Sequence, residues 1–268
     1  MSAASPKDRP RRRQRSRAKS DAETRVVLDG IHAVREALRA RRRPLYRLRL
    51  RAAATHPEHE ALRALAREAG VPVEEERAPL QPSEANSQGA RLDVGPLPEL
   101  DLEALAALGN EPRTIVALDG VEDPRNLGAI ARNAEATGAA GLLLTRRHAP
   151  PLTAVVSRTS AGAIEWLPVA RVPNLTRSLN FLKEKGFWIF GADLDAGLGL
   201  HEIPARLLQG DRVVVLGAEG RGLRHGVQQA LDHRVRIPML GRIASLNVST
   251  AAAVILYELR RRDLATPR

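Results

Sequence analysis

Three short segments carry the residues best suited to chemistry. The first reads Asp119-Gly120-Val121-Glu122-Asp123-Pro124-Arg125-Asn126-Leu127-Gly128-Ala129, with Arg132 just beyond. Its Asp/Gly/Pro turn opens a helix for which Asn126 is a suitable N-cap. Arg132 lies two turns in, on the face of Gly128 and Ala129, whose small side chains let another backbone approach. Its guanidinium could bind an anion, or simply face solvent. The second segment is Gly217-Ala218-Glu219-Gly220-Arg221-Gly222, after an apolar run. Its glycines serve either close backbone approach to a ligand or tight turns, and Glu219 either accepts hydrogen bonds or faces water. The third runs Ile237-Pro238-Met239-Leu240-Gly241-Arg242-Ile243-Ala244-Ser245-Leu246-Asn247-Val248 into a helix rich in small residues. Ser245 reads as its N-cap and Asn247 as a first-turn polar group. Unpaired backbone N–H groups and the positive helix end favour negative charge there.

The elements that must hold these segments alternate. Strand patterns fall at 114–118, 141–144, 187–192, 212–216 and 234–237, and helix patterns at 127–137, 174–185, 223–231 and 245–262. Such alternation predicts an α/β domain with a mostly parallel sheet. Ligands in such sheets bind beyond the carboxyl ends of the strands, and each segment follows a strand. A smaller α/β unit precedes this domain. It has a helix after Gly30 to about residue 40, an alternating strand at 45–50, a helix at 57–69 and a short strand at 71–73. The expected organisation is a tail at 1–24, a leading domain at 25–95, a Pro/Gly/Leu-rich linker at 96–112 and a second domain at 113–268.

Composition narrows the chemistry. The 268 residues carry a net charge of +11, of which residues 1–20 supply +7. A tail so basic and so poor in apolar residues is expected to be disordered. It reads as a polyanion-binding arm, as a solubility tail or, more weakly, as a transit peptide. Seven arginines and no acid lie between Arg39 and Arg51, which makes either a solvated face or an RNA-facing patch. Cys is absent, so thiolate chemistry and disulfides are excluded and a reducing, cytoplasmic compartment is expected. No apolar run reaches transmembrane length. The His residues lack metal-site spacing; His56 and His59 read as surface groups, and no metal is expected. With seven aromatics, base-stacking platforms are not expected, and Phe181, Phe187, Trp188 and Phe190 read as core. The glycine spacing G-x-x-G-x-G is not the G-x-G-x-x-G of dinucleotide folds, and no P-loop is present.

Taken together and in order, the three segments resemble the SpoU-type branch of the SPOUT RNA methyltransferases. The resemblance covers about residues 25–268. The start Gly30-Ile31-His32-Ala33-Val34 is similar to that of the large-subunit rRNA guanosine 2′-O-methyltransferases, which have an L30e-like leading domain that binds substrate. The resemblance implies an α/β SPOUT domain with a parallel sheet and a deep C-terminal trefoil knot. It implies S-adenosylmethionine (S-adenosyl-L-methionine) as cofactor, held by Gly217, Glu219, Gly220, Ile237, Met239 and Leu246. It makes Arg132 the central catalytic residue, with Asn126, Glu219, Ser245 and Asn247 around it. Physically, a group with a pKa above about 12 anchors a phosphate or an oxyanion more readily than it accepts a proton. The implied partners are RNA, either 23S rRNA or a ribosome assembly intermediate, and a second copy of the chain in a homodimer whose sites borrow groups across the interface. The alternatives are tRNA 2′-O-methylation and a ribosome-assembly factor without turnover.

Overall fold

A computed structural model describes residues 25–51, 57–77, 88–109 and 112–265. The basic tail, and His56, therefore lie outside the described residues. The chain divides into two compact units, 1–97 and 98–268.

The first unit contains β1 (Val26–Asp29), α1 (Ile31–Ala40), β2 (Leu45–Arg51), α2 (Glu58–Glu68), β3 (Val73–Glu76) and β4 (Ala90–Val94). Its sheet order is β1-β4-β2-β3. β4 runs antiparallel to β1 and β2, and β3 runs parallel to β2. Leu28, Val34, Leu38, Leu48, Leu50, Leu62 and Leu92 are fully buried at its core. The arginines of β2 are not an unpaired patch. Arg47 donates to Glu74 on β3 and Asp93 on β4 at 3.1 Å, and Arg49 pairs with Asp93 and, at 3.2 Å, with Glu76. The alternating arginines thus neutralise carboxylates of their own sheet, cross-strand. Two further expectations need correcting here and in the second unit. His59 is buried, its Nε2 3.0 Å from the Gln88 carbonyl oxygen, whereas Trp188, expected in the core, is 39% exposed and tilts against His233.

The second unit is α/β with seven parallel strands. It comprises α3 (Leu102–Ala106), β5 (Thr114–Asp119), α4 (Pro124–Ala136), β6 (Gly141–Thr145), α5 (Ala154–Thr159), β7 (Val169–Val172), α6 (Leu175–Glu184), β8 (Trp188–Ala192), β9 (Leu198–Gly199), β10 (Arg212–Gly217), α7 (His225–Gln228), β11 (His233–Arg236) and α8 (Val248–Ala265). The sheet order is β7-β6-β5-β10-β8-β11-β9, parallel throughout. Val213 and Val215 of β10 face one side with Ile115 and Ala117 of β5, against Leu175, Leu179 and Leu182 of α6. Part of the stretch expected to be linker belongs to this core: α3 is capped by Asp101 and buries Leu105. The order reverses at β5. The chain winds outward through β6 and β7, crosses to β8, and returns to insert β10 between β5 and β8. That reversal sets the loops after β5 and β10 side by side at the carboxyl edge of the sheet.

Candidate active site

The site is built from the loops that follow three strands, β5, β10 and β11. β5 ends at Asp119, paired in register with Gly217 at the end of β10. Past Gly217 the chain folds back on itself. Gly222 N donates to Ala218 O at 2.9 Å, and Ala218 N to Gly222 O at 3.2 Å. Gly220 and Gly222 take φ of 76° and 65°, which L side chains rarely adopt. At Gly217 the demand is steric: a Cβ there would stand 2.4 Å from the carbonyl carbon of Gly222. The second segment is therefore a turn that only glycine closes.

Asp119 holds this turn from below, a role that its sequence position did not reveal. The residue is 1% exposed, and its carboxylate accepts from Arg224 N at 2.8 Å and Arg224 Nε at 2.6 Å. Arg224 N is consequently committed to a strand end, and α7 begins only at His225, shorter than the expected helix.

Two caps differ from expectation. Asp123, not Asn126, caps α4, accepting from Arg125 N at 2.8 Å with Pro124 in the first turn. Asn247, not Ser245, caps the last helix: its Oδ1 accepts from Ser249 N at 2.8 Å and from Ser249 Oγ at 2.6 Å, and α8 starts at Val248. The reason is position: α4 starts at Pro124 and α8 at Val248, so the residues just before them cap, and Asn126 lies inside α4. Both asparagines also use their amide nitrogens for the site. Asn126 Nδ2 donates to Glu219 Oε1 at 3.0 Å, while Asn247 Nδ2 reaches Glu219 Oε1 at 2.6 Å and Asn126 Oδ1 at 3.1 Å. One residue from each segment thus meets the other two.

Beside this cluster lies a cavity of about 550 Å³. Gly217, Glu219, Gly220, Ile237, Met239 and Leu246 all line it, as do Ser245 and Asn247. Its apolar walls come from Leu216, Val235, Val248 and Ile255. The volume lies within the usual range for a drug-sized ligand, and bare glycine backbone forms one wall. The cavity therefore fits a cofactor that stacks on apolar walls and hydrogen-bonds to main chain. Ser245 is exposed at its mouth. Among the described residues, no group of three or more His, Asp or Glu could hold a metal.

Arg132 stands apart. It is exposed on α4 and has no hydrogen bond or ion pair among the described residues. Six residues along a helix is about 9 Å of rise and about 120° from Asn126, so the two do not share a face. Gly128, by contrast, is buried against α5, where a Cβ would fall 1.8 Å from Thr159 Oγ1. The small face expected to admit another backbone does so within this fold.

A parallel α/β domain with an amide–carboxylate cluster on a glycine-walled cavity, set over the carboxyl ends of β8, β10 and β11, defines an α/β protein that binds a nucleotide-like cofactor beyond its strand ends. Comparison makes the class specific: the SpoU rRNA Methylase family matches residues 113–257, and the chain belongs to it. The 23S rRNA (guanosine-2′-O-)-methyltransferase RlmB of Vibrio cholerae is 43% identical over 184 residues, 68% of this chain and 73% of that protein. The RlmB protein of Pseudomonas putida is 38% identical over 238 residues, 87% of this chain and 95% of its own length. The SpoU methyltransferase AviRb from Streptomyces viridochromogenes, crystallised with AdoMet, has the same fold (TM-score 0.75, 24% identity, 95% of each chain).

Proposed function

We propose that this chain transfers a methyl group from S-adenosylmethionine to the 2′-hydroxyl of a guanosine ribose in 23S rRNA. The observation that carries this reading is the convergence of Asn126, Glu219 and Asn247 at the rim of the glycine-walled cavity. Family membership and the names of the relatives support it. The Pseudomonas putida relative aligns with 87% of the chain, so the likeness reaches into the leading unit and favours rRNA over tRNA.

In this reading Gly217, Gly220, Ile237 and Leu246 hold the cofactor through main-chain groups, with Glu219 and Met239 beside them. Bound there, S-adenosylmethionine supplies an electrophilic methyl on a sulfonium, which departs as a neutral thioether. Asn126 and Asn247 fix Glu219 at Oε1 and leave Oε2 to accept a hydrogen bond from the incoming 2′-hydroxyl, whose proton is released to solvent as its oxygen takes the methyl. Ser245 hydrogen-bonds the RNA at the cavity mouth. Arg132 anchors phosphate or the developing oxyanion, roles suited to a permanent cation. Since it lies off the Asn126 face, it serves the site of the partner in a homodimer.

The test is incubation of labelled S-adenosylmethionine with unmodified 23S rRNA, followed by nucleoside analysis. The expected product is 2′-O-methylguanosine from wild type and none from Arg132→Ala. Base methylation would overturn the reading, and robust ribose methylation by Arg132→Ala would remove the role given to that residue.

A further inference from the structure

The loop after β6 belongs to none of the three segments, yet it is built as firmly. Arg146 N donates to Val172 O at 2.8 Å. Thr145 Oγ1 donates to the carbonyl of Arg147. Arg171 donates to Pro150 O at 2.6 Å and to Thr145 O at 3.4 Å, and is itself held by Glu99 at 2.7 Å. His148 takes a left-handed φ of 62°, and its Nδ1 lies 3.1 Å from Glu122 Oε1 in the first segment. A small cleft of about 70 Å³ marks where this loop meets the turns carrying Asp119, Glu122 and Arg221.

What this framework presents is cationic. Arg146 and Arg147 are exposed, and neither has a hydrogen-bond or ion-pair partner for its side chain among the described residues. The same holds for Arg125, in the first turn of α4, and for Arg221, in the glycine turn. Other arginines of this unit are matched to carboxylates, among them Arg224 to Asp119, Arg234 to Asp193, Arg113 to Asp211 and Arg212 to Asp263, while the remaining exposed, unmatched ones, such as Arg132, Arg206 and Arg260, lie on other elements. What distinguishes these four is their grouping: the loop after β6, the first turn of α4 and the glycine turn meet at the carboxyl end of the sheet.

We propose that Arg146 and Arg147, with Arg125 and Arg221, form a rim that binds the phosphates flanking the target ribose. The proposal rests on the methyltransferase reading and names the surface that carries its substrate. Guanidinium forks match phosphate geometry, and exposed ones lose little hydration on contact. A row of cations over several loops suits a continuous polyanion better than a single anion. Each phosphate neutralised releases counterions, so the rim has a salt signature.

The test compares wild type, Arg146→Ala/Arg147→Ala, and a control pair, Arg206→Ala/Arg260→Ala. The control arginines are also exposed and unmatched but lie where the strands begin. Binding of a 23S rRNA transcript is followed by anisotropy between 50 and 200 mM salt, with steady-state kinetics alongside. The expected result for the first pair is roughly tenfold weaker RNA binding and a salt slope shallower by about 1.5. Its KM for RNA rises while kcat at saturating RNA, S-adenosylmethionine affinity and thermal midpoint hold. The control pair changes affinity less than about threefold. Wild-type affinity and slope in the first pair would overturn the rim, as would an equal loss in the control. So would a polyglutamate peptide that binds as tightly as RNA and suffers the same loss. A wild type that methylates RNA while the first pair is indifferent removes the rim alone; a wild type that binds no RNA removes the methyltransferase reading with it.

Discussion

At the scale of single residues, Asn247 does two jobs with two atoms. Its Oδ1 caps α8 through Ser249, and its Nδ2 holds Glu219 and Asn126. The jobs can be separated. Asn247→Ala loses both, and the lost cap alone should cost about 1 kcal/mol. Asn247→Asp retains the cap acceptor but sets a second carboxylate against Glu219. The expected outcome is a thermal midpoint near wild type for Asn247→Asp, a lower one for Asn247→Ala, and loss of methyl transfer in both. Denaturation and activity measured on the same preparations check this; an active Asn247→Asp enzyme would contradict the role of the amide. Helix start positions explain the difference between the expected and observed caps. Ser245 and Asn126 are good N-cap residues by type, but Asp123 and Asn247 stand nearer the true helix starts.

At the scale of elements, the second segment works because β10 ends in a turn that excludes side chains. Gly217→Ala would drive a Cβ into Gly222 backbone, which cannot move without shifting the cavity wall. A strain of about 1–3 kcal/mol is expected, and relieving it by moving the cavity wall out of its binding geometry should weaken S-adenosylmethionine binding by roughly fivefold to 150-fold. Isothermal titration checks it, and wild-type affinity would contradict the turn's role. Strands with apolar alternation, such as β5 and β10, were legible in the sequence. β4 and β7 were not. β4 carries Asp93, which reads as a turn residue until Arg47 and Arg49 neutralise it across the sheet. β7 is four residues long and contains Arg171, whose charge is met by Glu99. Only tertiary pairing makes these segments strands.

At the scale of the whole molecule, sequence alternation gave the layered α/β class but not the strand order. The insertion of β10 between β5 and β8, which brings the first and second segments together, depends on a long-range return that no local pattern records. The opposite end of the same unit is closed by ion pairs that set its acid limit. Hydrogen bonding from Arg261, and also from Arg262 and His201, holds the Glu258 carboxyl well below the usual range. Burial works to raise Asp211, but hydrogen bonds from Arg113 outweigh it and hold that carboxyl low as well. Carboxyls depressed in the folded state stabilise it above their unfolded pKa, near 4, and lose that contribution as pH falls. The thermal midpoint should therefore be flat from about pH 7 to about pH 5 and fall below about pH 4. Glu258→Gln should lower the neutral-pH midpoint and soften the acid decline. A midpoint that rises on acidification would contradict this assignment.

The most direct test of the catalytic cluster uses Asn126, which meets Glu219 but lies outside the cavity lining. S-adenosylmethionine affinity and the rate of 2′-O-methylation of 23S rRNA should be measured for wild type and Asn126→Ala. The expected result is unchanged cofactor affinity with methyl transfer reduced at least about a hundredfold, a loss of about 2.7 kcal/mol of transition-state stabilisation. Wild-type transfer by Asn126→Ala would contradict the assignment of chemistry to the Asn126–Glu219–Asn247 cluster.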